Sequence, residues 1–351
     1  MIKKYLAISI LLCTGFYACK EKGVVVVPPP PPTNTFSNPL LSSGPDPWIV
    51  QQGTSYYYTN TLGNRIALWK TTKVSALRSV TPVTIWTAPA SGPNSQNVWA
   101  PELHLINSKW YAYYTAGSSA DLATQRSFVL ENAGSDPLAG TWVDKGKIFD
   151  PAADFFAIDG TVFNYNGQNY YLWSGQASAS DNTQRIYIAR MADPWTLATP
   201  RALISSPQYS WESFGSPPAV NEGPEILKNS AGKVFLVFSA SGCWTDNYAL
   251  GMMTLRDGGD PLLAADWTKT ATPVFSKNIP ASVYGPGHNS FFKSADGTED
   301  WILYHANPTP GQGCGNNRSP RMQKFTWNTD GTPNFGVPVS TSTFIAKPSG
   351  E

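Results

Sequence analysis

From residue 46 onward the chain alternates short apolar runs with turns, and each first run is followed by a second one rich in Tyr, Trp and Phe. "DPWIVQQGTSYYYTNT" begins the series at Asp46, and "APELHLINSKWYAYYTAG" repeats it from Ala100. "DGTVFNYNGQNYYLWSGQ" follows from Asp159, "GPEILKNSAGKVFLVFSASG" from Gly223, and "HNSFFKSADGTEDWILYHAN" from His288. In each, a Gly or Asn-Ser turn between an apolar and an aromatic strand is a hairpin signal. Third strands follow as "RIALWKT", "RSFVLENA", "RIYIARM", "LGMMTLRD" and "RMQKFTW". No long helical period interrupts them. Five units about 55 to 65 residues apart suit a radial β-repeat better than a solenoid, whose units are shorter, or a two-sheet sandwich, which predicts no such recurrence. The pattern predicts an all-β, five-bladed β-propeller forming a single domain over residues 35–351.

Composition agrees and narrows the partners. The chain has 351 residues, only 14% of them charged, a formal net charge of +1, 30 prolines, 29 glycines and 13% aromatics. A nucleic-acid binder would need a clustered basic face, which is missing here. Aromatics beside Asn, Gln and Asp suit sugar rings, although core packing explains most of them.

The N-terminus reads as a targeting segment. "MIKK" and "YLAISILL" form a charged region and an apolar region too short to span a bilayer. "FYAC" then resembles a bacterial lipoprotein cleavage site. Residues 1–18 are expected to be a signal peptide and Cys19 the lipidated residue; Cys13 is the alternative. "KEK" after it resembles a surface-export signal. The proline run within residues 19–34 is an extended spacer, so the protein is expected on the outer membrane, held by a lipid anchor. Cys243 and Cys314 remain in the domain. An even pair in an exported chain favours a disulfide over two free thiols. Neither has zinc-site spacing.

In a propeller the first strand of each blade lines the central channel, so residues just ahead of those strands converge. Those positions hold Asp46, Glu102, Asp159, Glu222 and His288. Each has a plainer reading. Asp-Pro recurs as turn chemistry at Asp136, Asp150, Asp193 and Asp260, "IDG" is a common turn, Glu222 alone is a loop charge, and "PELH" is equally a strand-opening hydrogen bond. Their equivalent placement in successive units favours function, because clustered like charges are costly and raise one another's pKa values. Glu225 sits deeper in its strand than Glu222. His104 and His305 read as packed or surface histidines.

With these residues in place, "GPDPWI", "VWAPELH", "AIDGTVF", "NEGPEIL" and "GPGHNSFF" resemble the five blade-opening motifs of glycoside hydrolase family 43, and "NRSPRMQKFTWNTDGTPNFG" resembles its last-blade signature. The resemblance covers the whole chain after the linker. It implies an inverting glycosidase in which Asp46 is the general base, Glu222 the general acid, and Asp159 the residue that raises the acid's pKa and orients it. It implies no cofactor for the chemistry, with His288 lining the funnel floor, where a structural calcium ion is one expectation. Arg318 or Arg321 would reach sugar hydroxyls, with Arg318 favoured. Trp99 and Trp173 are candidate stacking platforms, a core role being the alternative for each, and Glu102 is a further candidate substrate contact.

The blade-four sequence "SASGCWTDNYALGMM" resembles the arabinofuranosidase branch of that family. The expectation is therefore an exo-acting α-L-arabinofuranosidase on arabinan or arabinoxylan of plant cell walls. Endo-arabinanase and β-D-xylosidase are the alternatives within the family. A non-catalytic, surface glycan-binding propeller is the alternative of another class, and it leaves the three acids unexplained.

Overall fold

The computed structural model describes residues 33–351, so the signal peptide, Cys13, Cys19 and most of the proline spacer lie outside the described residues. Five antiparallel sheets follow one another along the chain. Blade I comprises Trp48–Gln52, Ser55–Thr59, Arg65–Thr71 and Val83–Thr87. Blade II comprises Gln96–Ile106, Lys109–Gly117, Arg126–Asn132 and Val143–Lys147. Blade III has Ala157–Tyr165, Gln168–Gly175, Arg185–Asp193 and Ala202–Ser205, with the short Thr196–Leu197 also paired to its third strand. Blade IV has Asn221–Lys228, Val234–Ala240, Ala249–Leu255 and Trp267–Lys269. Blade V has Tyr284–Lys293, Asp300–Asn307, Ser319–Trp327 and Pro333–Asn334. The first strands of the five blades touch one another in a closed ring, blade V meeting blade I.

Local chemistry sets the hairpins. Asn107-Ser108 and Asn166-Gly167 all have positive φ (50°, 63°, 51° and 81°), which makes primed turns whose twist matches the flanking strands. Packing then explains the apolar second strands. The apolar clusters lie between neighbouring blades: Leu172 and Ile188 of blade III pack with Leu236 and Phe238 of blade IV, and Tyr304 of blade V packs with Val237 of blade IV. A central strand covered on both faces cannot alternate, so Val234–Ala240 is buried at every residue.

The ring is closed by the segment ahead of blade I. Thr35 and Phe36 pair with Ala346 and Ile345. The Asn38 side chain donates to the Met322 carbonyl and accepts from its amide, both at 2.9 Å. Gly44 N–H donates to the Arg318 carbonyl at 3.0 Å.

Candidate active site

The first strands of blades II to V each carry a bulge at the same place. Register breaks fall between Trp99 and Glu102, Ile158 and Thr161, Glu222 and Glu225, and Gly287 and Ser290. The first residue skipped in each is left-handed: Ala100 (φ 41°), Asp159 (55°), Gly223 (53°) and His288 (48°). Asp46 (φ 55°) holds the same conformation immediately ahead of the first strand of blade I. Such φ values are strained for non-glycine residues and mark places where a side chain is aimed for a purpose. The ring of equivalent positions is therefore Asp46, Ala100, Asp159, Gly223 and His288.

This register corrects the sequence reading. Glu222 stands one residue before its ring position and Glu102 two residues after its own. The bulge carries Glu102 past the mouth, where it is buried and accepts a 2.8 Å hydrogen bond or ion pair from His104. It faces Glu225, buried at the equivalent position of blade IV. Glu102 is thus not among the residues lining the cavity over the ring.

A cavity of about 360 Å³ opens over the ring and is lined by Asp46, Asp159, Glu222, His288 and Arg318, with Trp99, Phe156, Gln184 and Trp244 in its wall. Three larger clefts, of about 800, 600 and 540 Å³, lie elsewhere and contain none of these acids.

Asp46 is held from several sides. Its Oδ1 accepts from Arg318 Nη1 at 2.6 Å and its Oδ2 from Thr61 Oγ1 at 2.7 Å. Thr61 Oγ1 is itself fixed by Ala100 N–H at 2.7 Å. Asp46 N–H donates to His305 Nδ1 at 3.0 Å, which puts the His305 proton on Nε2. Burial alone raises the Asp46 pKa, but Arg318, His288, His305 and the Thr61 hydroxyl together hold it well below the usual carboxylate range. His288 Nδ1 lies 3.4 Å from Asp46 Oδ1 and 4.0 Å from Asp159 Oδ2.

Glu222 has the opposite surroundings. Its Oε1 accepts from Tyr248 Oη at 2.8 Å. Burial, with Tyr248 opposing it and the Asp46 charge adding to it, pushes its pKa up to about 7. Asp159 is buried; its Oδ2 accepts from Gly223 N–H at 3.0 Å and its own N–H donates to Thr115 Oγ1 at 3.1 Å. Burial, then Glu222 and Asp46, raise its pKa well above the ordinary value. Asp159 and Glu222 also repel one another when both are ionised, and Asp159 is tied to the residue after Glu222 by the Gly223 hydrogen bond. Gly160 belongs to the same construction: a Cβ there would lie 1.6 Å from Tyr171 Oη. The "IDG" glycine answers a close approach, not a turn.

Trp99, His288 and Arg318 line the cavity as expected, although Arg318 spends a guanidinium N–H on Asp46. Trp173 does not line it: it is buried among aromatics, stacked with Tyr171 and Tyr187. Arg321 is fully buried in blade V, beside Tyr304, and is not among the residues lining the cavity. His305 is no bystander, since it receives the Asp46 amide. Thr61, Tyr248, Gln184, Phe156 and Trp244 were not signalled by any spacing; they come from segments between strands whose meeting point only the fold defines. Cys243 and Cys314 form a disulfide in the cavity wall.

The surroundings of His288 do not fit a calcium ion. Calcium takes six to eight oxygen ligands, whereas both Asp46 oxygens here are engaged by Arg318 and Thr61. Among the described residues no group of three or more His, Cys, Asp or Glu is disposed to hold a metal.

Three carboxylates in one cavity at the mouth of a five-bladed propeller define a glycosidase-like site, and the relatives of the chain make the assignment. Residues 36–333 match Glycosyl hydrolases family 43, and the chain belongs to that family. It is 43% identical over 314 residues to an extracellular exo-α-(1→5)-L-arabinofuranosidase of Streptomyces avermitilis, covering 87% of this chain and 64% of that protein. It is 38% identical over 275 residues to an extracellular exo-α-(1→5)-L-arabinofuranosidase of Streptomyces chartreusis, covering 77% and 82%. The crystal structure of α-L-arabinofuranosidase from Lactobacillus brevis superposes with a TM-score of 0.83 at 37% identity, covering 88% of this chain and 98% of that one. This chain therefore spans just under two thirds of the length of the S. avermitilis relative.

Proposed function

We infer that the protein is an inverting, exo-acting α-L-arabinofuranosidase that releases terminal arabinose from arabinan or arabinose-bearing plant polysaccharides. The observation that carries this reading is the contrast across one cavity between Asp46, stabilised as a carboxylate, and Glu222, whose pKa is lifted to about 7. Inversion asks for one base and one acid on opposite sides of the glycosidic bond. Asp46 takes a proton from a water as that water's oxygen bonds to the anomeric carbon. The carbon–oxygen bond to the leaving group breaks as Glu222 delivers its proton to the departing oxygen. Asp159, by holding Gly223 N–H, orients the backbone that presents Glu222. His288 is kept neutral by burial despite Asp46 and Glu102, and stands beside the base as a hydrogen-bonding wall.

The arabinofuranosidase relatives support the sugar assignment, and a small cavity walled by Phe156 and Trp244 suits one terminal pentose better than a polymer threaded through it. Export, with a lipid anchor at Cys19 and a proline spacer, completes the reading and accords with relatives named as extracellular. The test is hydrolysis by the mature domain of chromogenic α-L-arabinofuranoside and β-D-xyloside side by side. Turnover of the arabinofuranoside alone is expected. Turnover of the xyloside instead would make the protein a β-xylosidase. Turnover of neither, with oligosaccharides released from arabinan, would make it endo-acting, and no product from either source would leave a glycan-binding protein.

A further inference from the structure

The second-to-third-strand loop of blade IV, residues 241–248, and that of blade V, residues 308–318, meet at the cavity and are joined by the Cys243–Cys314 disulfide. They are tied a second time by Gly311 N–H, which donates to Asp246 Oδ1 at 2.8 Å. What each loop ends on is the point. The blade IV loop ends at Tyr248, whose hydroxyl holds Glu222 at 2.8 Å. The blade V loop ends at Arg318, whose guanidinium holds Asp46 at 2.6 Å. The Tyr248 ring also stacks on His305, in the blade V strand that leads into that loop, at 5.8 Å between centroids and an 8° interplanar angle. Beside the disulfide, Trp244 keeps 43% of its surface exposed in the cavity wall, with Nε1 donating to the Gly215 carbonyl at 3.3 Å. A Cβ on Gly242 would lie 2.3 Å from that ring, so the indole is seated against bare backbone.

We propose that the Cys243–Cys314 bridge is a positioning element of the reaction: it locks the loop that sets the acid to the loop that sets the base, and holds Trp244 as the wall against which the departing sugar rests. The inference rests on the acid and base roles given above. A bridge that only stabilised the fold could join any two loops; this one joins the two whose last residues touch Glu222 and Asp46. Small displacements of such groups are costly, a shift of about 1 Å being able to lose around 10²-fold in rate.

The experiment compares wild type with the Cys243→Ser/Cys314→Ser protein, and with wild type whose thiols have been freed by a phosphine and counted. Readouts are kcat, KM and the pH profile on an α-L-arabinofuranoside. Both reduced forms are expected to lose at least about tenfold in kcat, with both limbs of the profile displaced to higher pH. Asp46 loses the cation that lowers its pKa, and Glu222 loses the phenol that lowers its own. Reoxidation of the phosphine-treated protein should restore the original profile. A lower melting temperature with kcat and both limbs unchanged would overturn the proposal, leaving the bridge purely stabilising. Titration of the Asp46 and Glu222 carboxyl carbons by NMR gives the same answer without substrate, so the proposal stays testable if wild type does not cleave arabinofuranosides. It also remains so if the serine variant does not fold, because the phosphine arm starts from folded protein.

Discussion

Two carboxylate pairs share the central channel, one at its mouth and one a few residues deeper, and they behave differently. At the mouth, Asp46 is surrounded by Arg318, Thr61, His288 and His305, while burial dominates at Glu222, with Tyr248 and then Arg318 opposing the lift and Asp46 adding to it. One member of that pair is driven to ionise and the other to keep its proton. Deeper, Glu102 and Glu225 face each other with His104 on the Glu102 side, and no guanidinium reaches them. Burial, then Glu102, raises the Glu225 pKa well above its ordinary value. A carboxylate beside an apolar strand is therefore not catalytic by position alone. The upper pair gains its division of labour from Arg318, which arrives from a loop more than two hundred residues away in sequence.

The comparison can be broken at its strongest point first. Glu222→Gln is expected to lower kcat on natural arabino-oligosaccharides by about 10² to 10⁴, and by less on an aryl arabinofuranoside whose leaving group departs without a proton. Asp46→Asn should cost a similar factor on both substrates. Equal losses for Glu222→Gln on the two would take the acid role from it.

Arg318→Gln comes next. Without the guanidinium the Asp46 pKa should rise, moving the acid limb of kcat/KM upward by about 1 to 3 pH units, an effect read from the profile of the free enzyme. An unmoved limb would mean that Asp46 is not the base. Tyr248→Phe should act on the other limb only: the phenol lowers the Glu222 pKa, so its loss moves the alkaline limb to higher pH and leaves the acid limb in place.

The smallest effect on turnover belongs to the deeper pair. Glu225→Gln should leave kcat near wild type while changing stability in a pH-dependent way. The folded protein keeps the Glu225 proton to a pH well above the point at which the unfolded chain releases it, near 4.5. Folding stability should therefore decline as pH rises from about 4.5 through the folded pKa. The glutamine variant lacks that decline, so melting temperatures at pH 5 and pH 8 should show it gaining on wild type at the higher pH. A glutamine variant that loses ground to wild type, or keeps a constant difference from it, as pH rises would refute the assignment.

The propeller, its blade order and the opening strands were legible in the sequence because each blade repeats the same hairpin chemistry. That Asp46, Asp159 and His288 come together in one cavity was legible as well, since each sits at the start of such a hairpin. Glu102 was misplaced for a definite reason: a bulge skips two residues, and counting along the chain cannot reveal which two. Trp173 takes the core role that was its alternative and Arg321 is the buried one of the two arginines, a choice left open because a Trp or Arg on a strand gives no sign of which face it takes when both are covered. Thr61, Tyr248 and His305 were invisible as site residues, since their importance arises from contacts with another blade or with a distant part of the chain.

The ring of left-handed positions has one further meaning. Its five seats hold Asp46, Ala100, Asp159, Gly223 and His288, all at positive φ between 41° and 55°, and four of them carry a side chain, so the scaffold bears that strain at non-glycine residues. Two seats are chemically blank. Chemistry and architecture are thereby separable in this fold: new reactivity at the mouth needs a changed codon at a seat, with no new backbone to invent, and Ala100, already supporting the Thr61 hydroxyl through its amide, is where a protein engineer would begin.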